Sequence, residues 1–211
     1  MRFNRGHFNR HLNNLGQQFI WRRAYACSCV TPDSGSPDTK CRLCVGKGQI
    51  WTNPTPASAA SAGQKTQGEW AKMGQWQNGD MVMTIPENSP LWDAGQFDRV
   101  TMLNSTDRFS LPLKHGAPTE RVLFTPKLVD RVFWKDAVTG DLVEGGIPVF
   151  DANGRPTFTT GEPPPGMSYS VSGTRLSEYF LYMDFPRNRN MHDGMRLPKL
   201  VVLRRWDLLG R

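Results

Sequence analysis

The sequence predicts a mainly β protein: a small barrel or sandwich with long loops, preceded by an N-terminal arm or short helix and a compact cysteine-rich module. Three observations predict it. Short runs of alternating apolar and polar residues recur after about residue 69, each bounded by turn residues. Sixteen prolines and twenty glycines leave little room for long helices after the N-terminus. All four cysteines fall in one short stretch, as two closely spaced pairs. At 211 residues the chain is long enough to bury a real core.

Residues 1–23 form the first segment, a basic arm or short helix. Phe8, Leu12, Leu15 and Phe19 fall at steps of four, three and four, the apolar stripe of a helix. The intervening asparagines make that helix poor on its own, so it needs a surface to fold against, in its own domain or in a partner. The arm also carries Arg2, Arg5, Arg10, Arg22 and Arg23. Charge is distributed unevenly along the whole chain. Residues 1–68 hold nine Lys and Arg against two acids, whereas the remaining seventeen bases and seventeen acids cancel. The net charge of +7 therefore belongs to the N-terminal third. Such asymmetry points to an acidic or phosphate-rich partner, with the five arginines as candidate partner or DNA contacts; a solvated basic arm is the plain alternative.

Residues 24–51 form the cysteine module. Cys27-Ser28-Cys29 is followed by eleven residues and then Cys41-Arg42-Leu43-Cys44-Val45-Gly46-Lys47-Gly48. Cys41-x-x-Cys44 with glycines behind it has the form of a zinc knuckle: the two-residue gap turns both sulfurs inward, and glycine relieves crowding where amides turn toward sulfur. Cys27-x-Cys29 is a tighter bite, which an extended segment would accommodate by placing alternate residues on one face. Four thiols fill a tetrahedral structural zinc site, leaving no open position for chemistry. Two disulfides or four free thiols are the other readings, and His7 or Asp38 is available as a substitute ligand. The basic N-terminus lacks the apolar stretch and cleavage site of a signal peptide, and no apolar run is long enough to cross a membrane. A reducing cytoplasm is the expected site of synthesis, which favours metal over disulfide. Tyr25 and Trp51 flank the box, either covering a small metal site or offering faces on which bases stack.

Residues 52–68 contain no bulky apolar side chain and read as a flexible linker or extended loop. Residues 69–211 then read as one β-rich domain. Strands are predicted at 79–86, 97–103, 121–124, 131–134, 169–172, 179–183 and 200–203, with turns at Thr139-Gly140 and Asp151-Ala152-Asn153-Gly154. Catalytic motifs are scarce. No Gly-x-Ser-x-Gly elbow, phosphate loop or His-Glu-x-x-His occurs, and His115 and His192 stand in polar loops. A non-enzymatic protein is expected.

The cysteine box, with Pro32-Asp33 in its loop, resembles a signature of tailed-bacteriophage virion proteins of the head-to-tail neck. The runs Gly79-Asp80-Met81-Val82, Pro90-Leu91-Trp92, Phe97-Asp98-Arg99-Val100 and Asp107-Arg108-Phe109 are similar to the β-domain of that group. So are Pro164-Pro165-Gly166-Met167, Glu178-Tyr179-Phe180, Leu197-Pro198-Lys199 and Arg204-Arg205-Trp206-Asp207, so that the likeness extends over most of residues 24–211. The resemblance implies a head-closure, collar or adaptor subunit, made in the bacterial host and resident in the virion neck. It implies a homo-oligomeric ring of six or twelve copies, contacts with portal and tail proteins, and non-specific contact with packaged DNA. A zinc-dependent nucleic-acid-binding or regulatory protein with a β-domain is the alternative reading.

Overall fold

The computed structural model describes residues 5–185, 191–192 and 194–209. The chain divides into two compact units, one made of residues 1–103 and 178–211 and the other of residues 104–177. The fold is mainly β, in agreement with the sequence.

The first unit begins with helix α1, Arg5–Leu15, in which Leu12 is buried. Phe19, expected to extend the helical stripe, instead lies on strand β1, Gln17–Ala26, and is fully buried there. Strand β2, Gln49–Ser61, follows the cysteine segment, and helix α2, Gln64–Lys72, precedes strand β3, Met81–Ile85. Strand β4, Arg99–Lys114, starts in this unit and runs into the second. The chain returns through strand β9, Ser168–Asp184, passes a two-stranded ribbon of β10, Met191–His192, and β11, Met195–Arg196, and ends this unit with β12, Lys199–Arg205. The sheet order is β12-β3-β2-β1-β4-β9, and β12 also pairs with β9, so the sheet closes into a six-stranded barrel. Closure removes the free edges that an open sheet would present.

Inward side chains alternate along each strand, as the two-residue period requires. Ala57 and Ala59, Met83 and Ile85, Val100 and Met102, and Val201 and Leu203 all join Phe19 in one core. Phe19 pairs with Ala57 on one side and Met102 on the other. Small residues opposite a large one are what a narrow barrel interior accommodates.

This packing corrects the reading of residues 52–68 as a linker. Residues 52–61 belong to strand β2, whose inward Ala57 and Ala59 are small because they lie beside Phe19 and whose backbone pairs with β1 and β3, and residues 64–68 open helix α2. The shift in β1–β2 register between Trp21 and Arg23 coincides with Asn53 at φ 54°, a left-handed position that asparagine tolerates better than most residues. Behind it, α2 packs through buried Trp70 against Val82, Val202 and Phe185. Gln67 extends the ladder with its side-chain amide, donating to Val82 O at 2.9 Å and accepting from Val82 N at 3.0 Å.

The second unit contains the distal halves of β4 and β9 with strands β5, Pro126–Lys135, and β6, Leu142–Glu144, in the order β4-β9-β5-β6. A separate ribbon joins β7, Val149–Phe150, to β8, Pro156–Thr157. Its core gathers Leu113, Val122, Val132, Trp134, Tyr169 and Val171. The expected turns at Thr139-Gly140 and Asp151–Gly154 occur, the latter with Gly154 at φ 75° and its hypothetical Cβ only 2.0 Å from Val122 O. Three expectations need correction. Residues 121–124 form no strand, although Val122 is buried and its N–H donates to Gly154 O at 2.8 Å. The strands predicted at 169–172 and 179–183 are one, β9, because Gly173 to Arg175 keep pairing with β5, and Leu176 N donates to Thr125 O, where apolar alternation lapses. Residues 69–211 are not one domain, since the barrel takes strands from both ends of the chain.

Candidate metal centre

The cysteine segment is an excursion between two paired strands. Ala26, the last residue of β1, pairs with Gln49, the first of β2, and just beyond them Cys27 N donates to Gly48 O at 2.9 Å. The barrel thereby fixes both ends of residues 27–48. Cys27 opens a turn closed by Val30 N donating to Cys27 O at 3.0 Å. The Cys27-Ser28-Cys29 pair therefore sits on a turn rather than on the extended segment expected from its spacing. Curvature, not strand alternation, brings its two sulfurs together.

The second pair lies on a tighter knuckle. Cys41 N donates to Asp38 O at 3.1 Å, Val45 N to Cys41 O at 2.9 Å and Lys47 N to Cys44 O at 3.0 Å. Behind it, Val45, Gly46 and Gly48 have φ of 54°, 74° and 73°. A β-branched residue at positive φ carries backbone strain, here held at a site where the surrounding turns over-determine the conformation. Gly46 is also packed close, with its hypothetical Cβ 3.2 Å from Thr39 O.

These turns bring the sulfurs of Cys27, Cys29, Cys41 and Cys44 within 4.8 Å of one another. Cys27 Sγ lies 3.8 Å from Cys41 Sγ, and Cys29 Sγ lies 3.4 Å from Cys44 Sγ. A tetrahedron of metal–sulfur bonds of about 2.3 Å spaces its corners about 3.8 Å apart, so the four thiols fit such an ion. All four cysteines are free, and the arrangement contains no disulfide. Cys27 and Cys44 are buried and the other two half-buried. Among the described residues this is the one cluster of three or more His, Cys, Asp or Glu able to hold a metal.

Backbone dipoles favour thiolate at one corner. The amides of Cys44 and Leu43 point at the Cys41 sulfur and bring its pKa down to about 7. Desolvation raises Cys29, pushed up to about 12, with neighbouring thiols adding to the effect against the Asp38 amide. A cation placed among these sulfurs would compensate the charge that burial disfavours. The Asp38 carboxylate accepts from Lys40 N at 2.8 Å, holding the turn before Cys41. Neither Asp38 nor His7 belongs to the cluster.

The knuckle is braced from the end of the barrel strand β12. Lys47 Nζ donates to Leu209 O and lies 5.9 Å from the centre of the Trp206 ring. Trp51 meets Trp206 edge-on at 4.4 Å and donates through Nε1 to Phe97 O at 3.0 Å. Trp51 is thus a packing residue, whereas Tyr25 is exposed.

The five arginines do not share one environment. Arg10 is exposed on α1 and Arg23 is exposed on β1, 5.7 Å from the Trp21 ring. Arg22 is half-buried, donates to Thr101 Oγ1 at 2.9 Å, and has its pKa lowered by burial and by Arg99, against the pull of Glu178. Arg2 and the side chain of Arg5 lie outside the described residues, as does the side chain of His192.

Among the polar groups that the sequence did not reveal is an ion pair in the first unit. Asp80 and Arg204 are joined at 2.8 and 2.9 Å, with Trp70 Nε1 donating to Asp80 at 3.1 Å. In the second unit Glu120 accepts from Tyr169 Oη at 2.7 Å and Gly116 N at 2.7 Å, with His115 Nδ1 at 3.0 Å. His115, read from the sequence only as a polar-loop residue, therefore belongs to a network. Its partner Tyr169 is 54 residues away in sequence, and only the alternation that buries Tyr169 hinted at it.

Among the described residues no helix is long and apolar enough to cross a membrane. No known family model matches the chain, and no curated protein matches it.

Proposed function

We propose that the chain is a structural subunit of the head-to-tail neck of a tailed bacteriophage. In this reading it is a head-closure, collar or adaptor protein that assembles with its own copies into a ring between portal and tail, and its cysteine cluster holds one structural zinc ion. The observation that carries the reading is the convergence of the four thiols of the resembling motif into one four-cornered cluster. Cysteine at every corner leaves no coordination position for a substrate or a reactive water, which favours a staple over a catalytic centre. The softness of thiolate ligands favours zinc over magnesium or calcium. Large exposed apolar side chains, among them Leu43, Leu128, Val138 and Leu142, suit a subunit whose surface is covered by neighbours.

The exposed Arg10 and Arg23 would then face the phosphates of packaged DNA, where contact needs charge and no base readout. Elemental analysis of the purified chain, paired with negative-stain microscopy, tests both halves. About one zinc per chain and closed rings are expected. A metal-free chain with four titratable thiols overturns the zinc assignment. A monomer or dimer that binds oligonucleotides with steep salt dependence overturns the neck assignment in favour of a nucleic-acid-binding protein.

A further inference from the structure

Two surface features, one in each unit, combine exposed apolar bulk with charge of opposite sign. The first is the tip of the cysteine knuckle. Leu43 is 72% exposed between two candidate metal ligands, and residues 39–47 carry three bases, Lys40, Arg42 and Lys47, with no acid. Lys40 and Arg42 are exposed. The second is the hairpin joining β5 to β6. Val138 at its tip is 94% exposed and Leu142 is 62% exposed, and residues 136–144 carry three acids, Asp136, Asp141 and Glu144, with no base.

Neither tip is loose. The knuckle is tied at both ends by the barrel and drawn inward at the buried Cys44 and half-buried Cys41, while Arg42 and Leu43 between them are exposed. In the hairpin the Asp136 carboxylate accepts from Val138 N at 2.7 Å and Thr139 N at 2.8 Å, and Gly140 N donates to Asp136 O. The amides of Thr139 and Val138 hold Asp136 below the ordinary carboxylate range, so the tip keeps its charge in mildly acidic solution. Strand β6 ends its sheet, and among the described residues no strand pairs its outer edge. An edge strand with an exposed leucine and an apolar tip is a surface that sheet proteins ordinarily cover.

We infer that the cysteine knuckle of one copy docks on the β5–β6 hairpin of the next, Leu43 against Val138 and Leu142, with Lys40 and Arg42 facing Asp136 and Asp141. The inference rests on the ring reading above, and it supplies the two different, complementary patches that a head-to-tail contact needs. A divalent ion on four thiolates would leave two negative charges at the centre, but the exposed Lys40 and Arg42 heads, rather than the largely buried sulfurs, are what a partner meets. The pair is the centre of the interface and not its whole extent, since a stable contact buries about 800 Å² on each partner. The knuckle acquires a reason to be rigid. A fixed turn presents Leu43 without the entropic cost of ordering a loop on contact.

A charge-swap cycle on the full chain tests this, read by analytical ultracentrifugation over a range of protein concentrations. Arg42→Glu and Asp141→Lys are each expected to raise the concentration at half-assembly about tenfold or more, and the double variant to recover to within about threefold of the parent. Val138→Ser and Leu43→Ser should weaken assembly to a similar degree. Metal content and circular dichroism of each variant separate lost docking from lost folding, and Val138→Ser, far in sequence from the cysteines, keeps the test valid if the knuckle variants lose metal. Assembly unaffected by Val138→Ser and by Asp141→Lys overturns the contact while leaving a ring intact. Single variants that weaken assembly with no recovery in the double variant overturn the pairing. A parent chain that stays monomeric overturns both the contact and the ring. Loss of binding to a single-stranded oligonucleotide in Arg42→Glu, with assembly unchanged, makes the knuckle a nucleic-acid face and overturns the contact as well.

Discussion

The two units order their long connections by opposite means. In the barrel unit residues 27–48 contribute only Cys27 and Cys44 to the buried apolar set, so the excursion has almost no core of its own. In the second unit the connections around residues 115–125 and 145–167 are held by Val122, Phe124, Phe150, Phe158 and Met167 around Tyr169, with Glu120 at the polar centre. The difference teaches that a loop of some twenty residues without apolar bulk needs another source of folding energy, and convergent thiols supply one once a cation is bound. A loop that carries aromatic residues needs none. The first region should thus be conditional and the second self-sufficient.

Removing a ligand breaks the comparison most directly. Cys44→Ser, or a strong chelator, is expected to expose residues 24–51 to protease while the second unit stays protected. Structural zinc in small modules contributes apparent binding energies of about 10–16 kcal/mol, far above what the few buried side chains here provide. Limited proteolysis followed by mass spectrometry reads the outcome. Unchanged protection of residues 24–51 would show that the excursion folds without metal and would erase the contrast between the units.

Next in size is a substitution that asks whether residues 52–61 belong to the barrel. Ala59 is buried and pairs with Gln17 beside Phe19, so Ala59→Leu overfills a closed interior at a cost of about 1–3 kcal/mol. Chemical denaturation measures it. An exposed linker would accept leucine with no loss, and that result would restore the composition-based reading.

That segment also shows what the sequence does and does not display. Alternation made β3, the start of β4 and β12 legible, because Met83, Ile85, Val100, Met102, Val201 and Leu203 are large and face one core. It failed at β2, where the inward residues are alanine and the sequence signal of burial is bulk. It failed again at Gly173 in β9, where a Cβ would lie 2.1 Å from Leu128 O. Glycine there marks the close approach of a neighbouring strand, yet it reads as a break. The cysteine cluster was legible for a different reason: four thiols of one kind at short spacing carry their own constraint. The turn that orients Cys27 and Cys29 was not, since a one-residue gap is compatible with either a turn or a strand. Nor was the network of His115, Glu120 and Tyr169, whose members are joined only by tertiary structure.

The self-sufficiency of the second unit has an acid limit. Burial raises the Glu120 pKa, but hydrogen bonds from Tyr169, His115 and Gly116 N outweigh it, so the folded value is lowered from 4.5. A carboxylate depressed in the folded state contributes stability above its unfolded pKa, and that contribution is lost as pH falls through the folded value. Glu120→Gln is therefore expected to destabilise the unit by about 1–2 kcal/mol at neutral pH and to remove part of the stability lost on going below pH about 4. Denaturation midpoints at pH 7 and pH 3.5 make the comparison. A variant that loses as much stability on acidification as the parent would place the acid sensitivity elsewhere. Cluster occupancy must be held constant, because protons compete with metal at the thiols.

The smallest expected effect tests how far the barrel supports its excursion. Lys47 joins the knuckle to the turn after β12 through Leu209 O and the Trp206 face, and Trp206 is held in place by Trp51 and by Arg99, whose guanidinium lies 4.4 Å from its ring. Lys47→Met keeps the aliphatic stem and removes the charged donor, at a cost of about 0.5–1 kcal/mol. The effect belongs to the knuckle alone. It should appear as faster loss of metal to a competing chelator, by a factor of about 2–5, with no shift in the denaturation midpoint of the second unit. If release is unchanged, the thiols hold their geometry without help from the barrel, and the excursion is conditional on its metal and on nothing else.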